Sequence, residues 1–303
     1  MTGADQTRQG YFYAVSAYFL WGIFPLYFVA LAPTSPLEIL GWRIILSLLL
    51  CVVILAVRGS LRPTFSLLRN RRTSLLTAAA GVFVAINWGI FVFATQTGHV
   101  VDAALGYFIN PLVTALLGVV VLRESLRRMQ WVALALGGLA VLVLVVAYGQ
   151  FPFIALGLAF SFGFYGLVKK LLGHMGALEG LTLETLWVTP VALGLLWFAA
   201  ANGWLDMGQL GLSHTGLLLL AGAVTSAPLL LFAAATRRLP LTTVGFIQYM
   251  NPVLQAIVGI VILSEPMPPE RWWGFLLVVL ALVVFATDTA RNMRKMRTNA
   301  FLG

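Results

Sequence analysis

The sequence predicts an all-α integral membrane protein with ten transmembrane helices, arranged as two inverted five-helix repeats. Three observations lead to this fold class. The chain has 303 residues, of which 60% are hydrophobic and only 10% are charged, a balance far from that of a soluble domain. Apolar stretches long enough to cross a bilayer follow one another along the whole chain. The second half repeats features of the first half at a constant offset, which indicates two related structural units.

The predicted spans are apolar runs of about 18 or more residues, the length that a helix needs to cross the hydrocarbon core. The connections between them are short, so no soluble domain remains to be assigned. The first run is about 20 residues long, which is too long for the apolar core of a signal peptide, and we interpret it as a retained helix. The ten spans lie at 11–31, 38–57, 74–95, 102–122, 129–147, 152–171, 181–200, 215–236, 242–263 and 271–287.

The internal repeat has an offset of 141 positions, so that Asn110-Pro111 returns as Asn251-Pro252. Each copy contains five spans, and an odd number makes the second copy enter the membrane from the opposite side. Inverted repeats place a binding site near the middle of the membrane, where the two halves meet. The predicted units are a first five-helix repeat with a short cytoplasmic N-terminus at 1–148, a second, inverted repeat at 149–290, and a basic cytoplasmic tail at 291–303.

The basic residues support the inversion independently. The arginine-rich stretch 58–72 corresponds by the offset to 199–213, which contains no Lys or Arg. Basic residues are concentrated in every second connection and in the tail, so the positive-inside rule predicts that both termini lie in the cytoplasm. The net charge of +9 is therefore a topology signal, and no nucleic-acid partner is expected.

Three stretches of the sequence carry a family resemblance: AYFLWGIFPLYF, AALGYFINPLVTALLGVVVLRESLRRMQW and ALGLAFSFGFYGLVKK. They resemble the EamA family of the drug/metabolite transporter superfamily, and more closely its RarD branch, over nearly the whole chain. The resemblance implies ten helices in two inverted repeats and an exporter of small metabolites or drugs in the bacterial inner membrane. One departure is visible: the second copy reads Ile247-Gln248-Tyr249-Met250-Asn251-Pro252, so the two half-sites differ chemically.

The predicted function is secondary transport, with export of small amphiphilic, aromatic or amino-acid-like compounds by alternating access about a midplane cavity. No phosphate-binding loop of an ATP-driven pump occurs, and neither Gly-x-Ser-x-Gly nor His-Glu-x-x-His indicates a membrane enzyme. No cofactor and no metal site are predicted. The expected partners are a small-molecule substrate, the lipid bilayer and, for a coupled carrier, protons. A passive channel or a lipid flippase remains the alternative, because inverted repeats also build those.

Two proline-containing helices are predicted to line the substrate path. On the fourth span a Tyr and an Asn share one face, and the offset places a Gln and an Asn at the corresponding positions of the ninth span. Each Asn precedes a proline, which lacks an N–H group and is predicted to kink the helix and to leave the carbonyl four residues earlier unpaired. The alternative is that the kinks serve packing and each Asn bonds a neighbouring helix backbone. These residues are Tyr107, Asn110, Pro111, Gln248, Asn251 and Pro252.

Four further residues near the middle of their spans are predicted to line the path. Trp21, Trp88 and Tyr165 offer apolar surface together with one hydrogen-bond donor each. Asn87 is polar in an apolar span. Ordinary helix packing is the alternative for the aromatic residues.

Arg43 and Glu184 are the two charges predicted to lie well inside spans, and the offset makes them corresponding positions. An ionisable group at the centre of a span costs roughly 2.5–3.5 kcal/mol on insertion scales, so a functional or paired role is expected. We interpret both as facing the central cavity. There Glu184 would exchange a proton or meet a cation, and Arg43 would hold an anion or stabilise the fold. A direct salt bridge between the two is the alternative.

His99 and Asp102 precede or begin the fourth span on the predicted outer side. Asp102 is predicted to be the N-cap of the helix. In the alternative interpretation the two residues form an outer gate that responds to pH.

Overall fold

A computed structural model describes residues 3–123, 125–148, 151–173, 175–236, 238, 239, 244 and 247–302. The regular secondary structure of these residues is helical throughout, so the all-α fold class is confirmed for them. A 3₁₀ turn at Leu67–Arg69 follows the third helix, and a π-helical turn at Val258–Ile262 follows the eleventh. The helices are α1 (Gly3–Val29), α2 (Pro36–Val57), α3 (Leu61–Ser66), α4 (Arg71–Gln96), α5 (Val100–Leu122), α6 (Arg128–Tyr148), α7 (Phe153–Leu172), α8 (Ala177–Ala201), α9 (Leu212–Leu219), α10 (Ala221–Thr236), α11 (Met250–Ile257) and α12 (Pro269–Leu302).

Among the described residues, seven helical stretches are long and apolar enough to cross a membrane. Three further apolar helices are shorter, at Arg128–Val143, Met250–Ile262 and Trp272–Asp288. Each of the ten predicted spans overlaps one of these stretches. The count of ten membrane crossings stays a prediction.

Polar side chains mark where two of the long helices begin. The Oγ of Ser35 accepts the N–H of Glu38 at 3.3 Å, one residue before α2 starts at Pro36. The Oδ1 of Asn70 accepts the N–H of Thr73 at 3.1 Å in front of α4. Both caps satisfy one of the N–H groups that a helix start leaves without a partner.

The helices pack as a bundle in which α6 and α12 lie to one side. These two helices pack against each other, and both also contact α5. The remaining long helices surround the interior: α2 packs against α8 and α10, α7 packs against α4 and α5, and α1 packs against α10 and α11. The pairs join helices from both halves of the sequence.

Two glycines allow helix backbones to touch. A Cβ atom placed on Gly81 of α4 would lie 2.5 Å from the carbonyl oxygen of Glu184 on α8. A Cβ atom placed on Gly222 of α10 would lie 2.5 Å from the carbonyl group of Leu46 on α2. Small residues at such crossings let membrane helices approach closely, since the association then rests on van der Waals contact.

The start of α5 is capped from another part of the chain. Glu265, which is 7% exposed, accepts the N–H groups of Val100 at 2.6 Å and Val101 at 2.8 Å. The prediction that Asp102 is the N-cap is wrong, because Asp102 is the third residue of α5 and His99 occupies the N-cap position. A carboxylate at this place also interacts favourably with the positive end of the helix dipole.

A second buried carboxylate has a similar role. Glu38 is fully buried and accepts the N–H groups of Asp206 at 2.8 Å and Met207 at 2.9 Å. The N–H of the Trp42 ring also donates to it at 3.1 Å. Glu38 therefore ties the connection after α8 to the first turn of α2.

The two prolines occupy different places in their helices. Pro111 lies inside α5, as predicted. Pro252 does not lie inside a continuous helix, because α11 begins at Met250 and Pro252 falls in its first turn. The prediction that the carbonyl of Gln248 is unpaired is wrong, because this carbonyl accepts the N–H of Asn251 at 3.0 Å. A proline in a first turn costs no helical hydrogen bond. Residues 242, 243, 245 and 246 of the predicted ninth span lie outside the described residues.

The glycine crossings generate a test of the packing. Gly222→Ala would push α10 away from α2, because the new methyl group meets a backbone carbonyl and not a flexible side chain. We expect the apparent melting temperature of the purified protein to fall, by an amount that corresponds to the ~1–3 kcal/mol of an overpacked core.

Gly194→Ala in α8 is the matched control, since nothing lies within 4 Å of a Cβ atom there. This change is expected to be neutral or slightly stabilising, because alanine loses less entropy than glycine in a helix. Equal melting temperatures for the two variants would contradict the close crossing of α10 and α2.

Candidate functional site

A cavity with a volume of about 950 Å³ lies inside the bundle. It is enclosed by α1, α2, α4, α5, α7, α8, α10 and α11, and aromatic side chains make up much of its wall. A cleft of this volume accommodates a molecule the size of a metabolite or a drug. All the residues predicted for the substrate path lie on its wall: Trp21, Asn87, Trp88, Tyr107, Asn110, Tyr165, Gln248 and Asn251. Their part in transport stays a prediction.

Hydrogen bonds hold the polar residues of the wall in place. The side-chain amide of Asn87 donates to the carbonyl of Leu158 and to the Oγ of Ser161, both at 3.1 Å. The hydroxyl of Tyr107 donates to the Oδ1 of Asn87 at 3.2 Å. Asn87 on α4 thus connects α7 with α5.

Asn110 and Asn251 make matching hydrogen bonds within their own helices. The Oδ1 of Asn110 accepts the hydroxyl of Thr114 at 3.1 Å, and the Oδ1 of Asn251 accepts the amide of Gln255 at 2.9 Å. Both partners lie four residues further along the same helix, so these bonds are not bonds to a neighbouring helix backbone. Gln255 also donates to the carbonyl of Trp21 on α1 at 3.2 Å.

Arg43 lies on the cavity wall and is 3% exposed. Its Nε donates to the Oγ1 of Thr225 on α10 at 2.9 Å. The guanidinium carbon lies 4.5 Å from the ring centroid of Trp88 and 5.1 Å from that of Phe28, distances at which a cation is attracted to an aromatic face. The Nη1 atom is buried and has no hydrogen-bond partner.

Glu184 is fully buried and does not line the cavity, so the prediction that it faces the cavity is wrong. The Nζ of Lys169 lies 2.6 Å from its Oε1, and the hydroxyl of Tyr165 donates to its Oε2 at 3.1 Å. Both partners belong to α7 and stand between the carboxylate and the cavity, which they line themselves. Arg43 and Glu184 thus have separate partners, and no direct salt bridge joins them.

The surroundings of Arg43 and Glu184 correspond through the offset. Tyr165 and Lys169 stand 141 positions after Phe24 and Phe28, and Arg43 contacts both of those phenylalanine rings. The same three positions therefore meet in both halves, with a cation between aromatic rings in one and a carboxylate between a phenol and an ammonium group in the other.

Lys169 is the residue of the site that the sequence reasoning missed, because it was counted only among the charges that set topology. Its spacing of four residues from Tyr165 puts both side chains on one face of α7, and this signal could have identified it. Thr225 was also missed, since a single polar residue in an apolar span does not indicate which helix it faces.

The two ends of the cavity differ. At one end the wall extends to the connection between α7 and α8, at Gly173 and Gly176, and to Thr236 at the end of α10. Beyond the other end, Phe28 and Leu31 are fully buried within an apolar cluster that also includes Phe24 and Phe91. The cavity thus extends to one side of the bundle, and a packed apolar layer covers the other.

Comparison with known proteins identifies the family. The sequence profile of the EamA-like transporter family matches residues 8–146 and, a second time, residues 152–287. The chain belongs to the EamA-like transporter family. It is 45% identical to Protein RarD of Streptomyces exfoliatus over 300 residues, which cover 98% of this chain and 94% of that one. It is 40% identical to Protein RarD of Escherichia coli (strain K12) over 292 residues, which cover 96% of this chain and 98% of that one.

A solved crystal structure shares the fold, with a TM-score of 0.59 and 17% sequence identity, and the match covers 95% of this chain and 99% of that one. The EamA-like membership and the apolar helices together make the protein a multi-pass membrane transporter. The predicted resemblance to the RarD branch is confirmed by the relatives.

The two residues predicted for an outer gate, His99 and Asp102, lie away from the cavity of this EamA-like chain. The ring Nδ1 of His99 lies 3.0 Å from the hydroxyl of Thr97, and neither His99 nor Asp102 is on the cavity wall. A pH-dependent outer gate at these residues stays a prediction. Within the part of the chain that the structure describes, no three His, Cys, Asp or Glu side chains come together as metal ligands.

The buried ion pair generates a double-mutant test. Lys169→Met would leave the fully buried carboxylate of Glu184 without its cation, and we expect a loss of about 3 kcal/mol in stability, since removal of one partner of a buried pair costs ~3–5 kcal/mol. Glu184→Gln is expected to cost less, because the side chain of Lys169 is 28% exposed and reaches water. Thermal unfolding in detergent measures both effects.

The double variant Lys169→Met/Glu184→Gln is expected to be more stable than Lys169→Met alone. Lys170→Met, on the exposed side of the same helix, removes the same charge and should change the melting temperature less. Strictly additive losses in the double variant would contradict a coupled pair.

Proposed function

We propose that the protein is a secondary transporter that exports small amphiphilic metabolites or drugs, aromatic or amino-acid-like compounds among them, by alternating access about the central cavity. The observation that carries the proposal is the cavity itself, which is large enough for such a molecule and is walled by helices from both halves of the chain. Its wall combines Trp, Tyr and Phe surface with amide groups, which suits a moderately hydrophobic ligand with a few hydrogen-bonding groups.

We further infer that the ten spans form two inverted five-helix repeats, at 1–148 and 149–290. Support comes from contacts between the two halves that occur twice, with the corresponding residues of the halves exchanged. A Cβ atom at Gly22 would meet Leu254, and a Cβ atom at Gly163 would meet Val113; each residue of the second contact corresponds by the offset to one of the first. The close crossings at Gly81 and Gly222 are likewise 141 positions apart. The double match of the family profile is consistent with the same division.

The orientation that we propose places both termini and the basic tail in the cytoplasm of a bacterium, with the protein in the inner membrane. The basic residues Lys169 and Lys170 end α7 at the side to which the cavity extends. By the positive-inside rule this side is cytoplasmic, so the described conformation would receive a substrate from inside the cell. Loading from the cytoplasm is the first step of export.

The corresponding triads around Arg43 and Glu184 supply a mechanism for alternation. In this conformation Phe24 and Phe28 are packed around Arg43, whereas Lys169 is partly exposed beside Glu184. Rocking of the two repeats would exchange these states. The residues around Glu184 would then become packed, and those around Arg43 would become partly exposed. Proton binding by Glu184 would compete with its ion pair to Lys169, which offers a route to proton coupling.

Thiol accessibility tests the alternation, because Cys51 is the single cysteine of the chain and is fully buried. In a Cys51→Ala background, Thr236→Cys places a thiol on the cavity wall at the proposed cytoplasmic end. The matched variant Thr95→Cys lies at the corresponding position of the first half, where the native residue is 1% exposed. A membrane-impermeant maleimide should label the first site rapidly from the cytoplasmic side and the second slowly from either side.

A substrate present on the outer side should reverse the order, since it would favour the outward-facing state. Labelling of both sites at one rate, from both sides of the membrane, is the result expected of a continuous pore and would overturn alternating access.

Counterflow in proteoliposomes separates a carrier from the alternatives. Three labelled probes of one shape are used: 3-phenylpropionate, 3-phenylpropionamide and 3-phenylpropylamine. For a carrier, vesicles preloaded with an unlabelled probe should take up the same labelled probe faster than empty vesicles, because the loaded carrier reorients in exchange. A channel shows no such stimulation, and a flippase instead moves a fluorescent phospholipid between leaflets.

A protonophore added to the vesicles then tests coupling. Accumulation against a gradient that collapses with the protonophore supports proton exchange. Uptake that never exceeds equilibrium and is insensitive to the protonophore supports a passive facilitator.

A further inference from the structure

The guanidinium group of Arg43 has an unfilled hydrogen-bonding position inside the cavity wall. Thr225 takes up its Nε, but its Nη1 is buried without a partner. The salt bridges of the described residues, Arg127–Asp288 and Lys169–Glu184, do not include Arg43. A buried charge without a counterion is costly, so an anion that reached this position would be bound favourably.

Aromatic rings pack over the guanidinium group of Arg43. Trp88 and Phe28 lie over the guanidinium group, at 4.5 and 5.1 Å from its carbon to their centroids. The ring faces attract the positive charge electrostatically, but they do not accept conventional hydrogen bonds from its N–H groups. A planar carboxylate matches the edge geometry of a guanidinium group, which donates two parallel N–H bonds to it more readily than to a neutral oxygen.

The charge balance of the wall favours a ligand with one negative charge. The charged side chains that the structure places on the wall are Arg43 and Lys169. Lys169 is neutralised by Glu184 at 2.6 Å, so the charge of Arg43 is the uncompensated one. A cationic amphiphile would be repelled by it, whereas a single carboxylate would neutralise it.

The rest of the wall fits the body of such a ligand. Tyr18, Trp21 and Phe232 form a contiguous group of rings, with centroids 5.4 to 6.2 Å apart. They line the same cavity as Arg43. An aromatic or aliphatic group attached to the carboxylate would remove this apolar surface from water.

We propose that Arg43 is the anion-binding subsite of the cavity, and that the ligands of this protein are small organic carboxylates with an apolar body. The proposal rests on the transport function proposed above and narrows its substrate class. The carboxylate accepts hydrogen bonds from the guanidinium group on the cavity wall, and Thr225 holds this group in position through Nε.

Thermal stabilisation of the purified full-length protein tests the subsite without requiring transport, since a ligand that binds the folded state raises its melting temperature. The probes are 3-phenylpropionate and its uncharged amide, 3-phenylpropionamide. We expect the carboxylate to bind about 30-fold more tightly than the amide. This ratio corresponds to ~2 kcal/mol of binding free energy, the lower end of the range for loss of a buried, hydrogen-bonded charge contact. Equal stabilisation by the two probes would overturn the proposal, and this comparison uses the native chain alone.

The variants assign the preference to one side chain. Arg43→Gln should abolish the difference between carboxylate and amide, and Arg43→Lys should retain part of it, since an ammonium group keeps the charge but not the paired geometry. Arg127→Gln, which removes an arginine from the pair with Asp288 outside the cavity, should leave the preference unchanged. A preference that persists in Arg43→Gln would overturn the assignment and leave Arg43 a structural residue.

The outcomes separate this proposal from the transport function. Carboxylate-selective binding without counterflow of any probe would support the subsite and contradict the carrier. Counterflow of the amide or the amine at the rate of the carboxylate would support the carrier and contradict the subsite.

Discussion

The interior of the protein is organised by the cost of placing charge inside an apolar bundle. Glu184 meets this cost with an ammonium group and a phenol, both from α7, and its burial is complete. Glu38 and Glu265 meet it with backbone N–H groups at the beginning of other segments. The burial cost of the Arg43 guanidinium group is offset only in part, by one hydroxyl and the faces of aromatic rings. The incomplete case lies on the cavity wall, where the proposed carboxylate ligand would complete it, and the complete cases serve the fold.

The packing is more symmetric than the chemistry. Contacts made by small residues recur at the constant offset, because a close approach of two backbones depends on the absence of a side chain and tolerates little else. Side chains at the same corresponding positions have diverged, from Phe24 and Phe28 to Tyr165 and Lys169. In the proposed mechanism the two ends of the cavity would therefore open at different energetic cost. On the proposed outer side apolar rings surround the cation of Arg43, and on the proposed inner side an ion pair lies in partial contact with water.

Sequence reasoning succeeded where a residue's type restricts its surroundings strongly. Polar or aromatic residues at mid-span, such as Asn87 and Tyr107, were placed on the cavity wall because an amide or a phenol in an apolar span needs a partner. Sequence reasoning failed where a residue's role depends on a distant part of the chain or on where a helix begins. Asp102 has the chemistry of an N-cap, but the first N–H groups of α5 are accepted by the carboxylate of Glu265, which lies 165 positions after Val100. Pro252 matches Pro111 in sequence, yet the start of α11 at Met250 puts it in a first turn, and the repeat pattern alone does not report where a helix begins.

The sequence by itself determined the fold class, the family and several residues of the polar and aromatic wall. Periodic apolar runs, the distribution of charge and a constant offset are properties of the chain, and the bilayer restricts their interpretation to helices. The tertiary structure decided which charges face one another. Lys169 rather than Arg43 pairs with Glu184, and the Nη1 of Arg43 is left without a partner. Pairing depends on helix rotation and on distances of a few ångströms between different helices, and neither composition nor spacing contains that information.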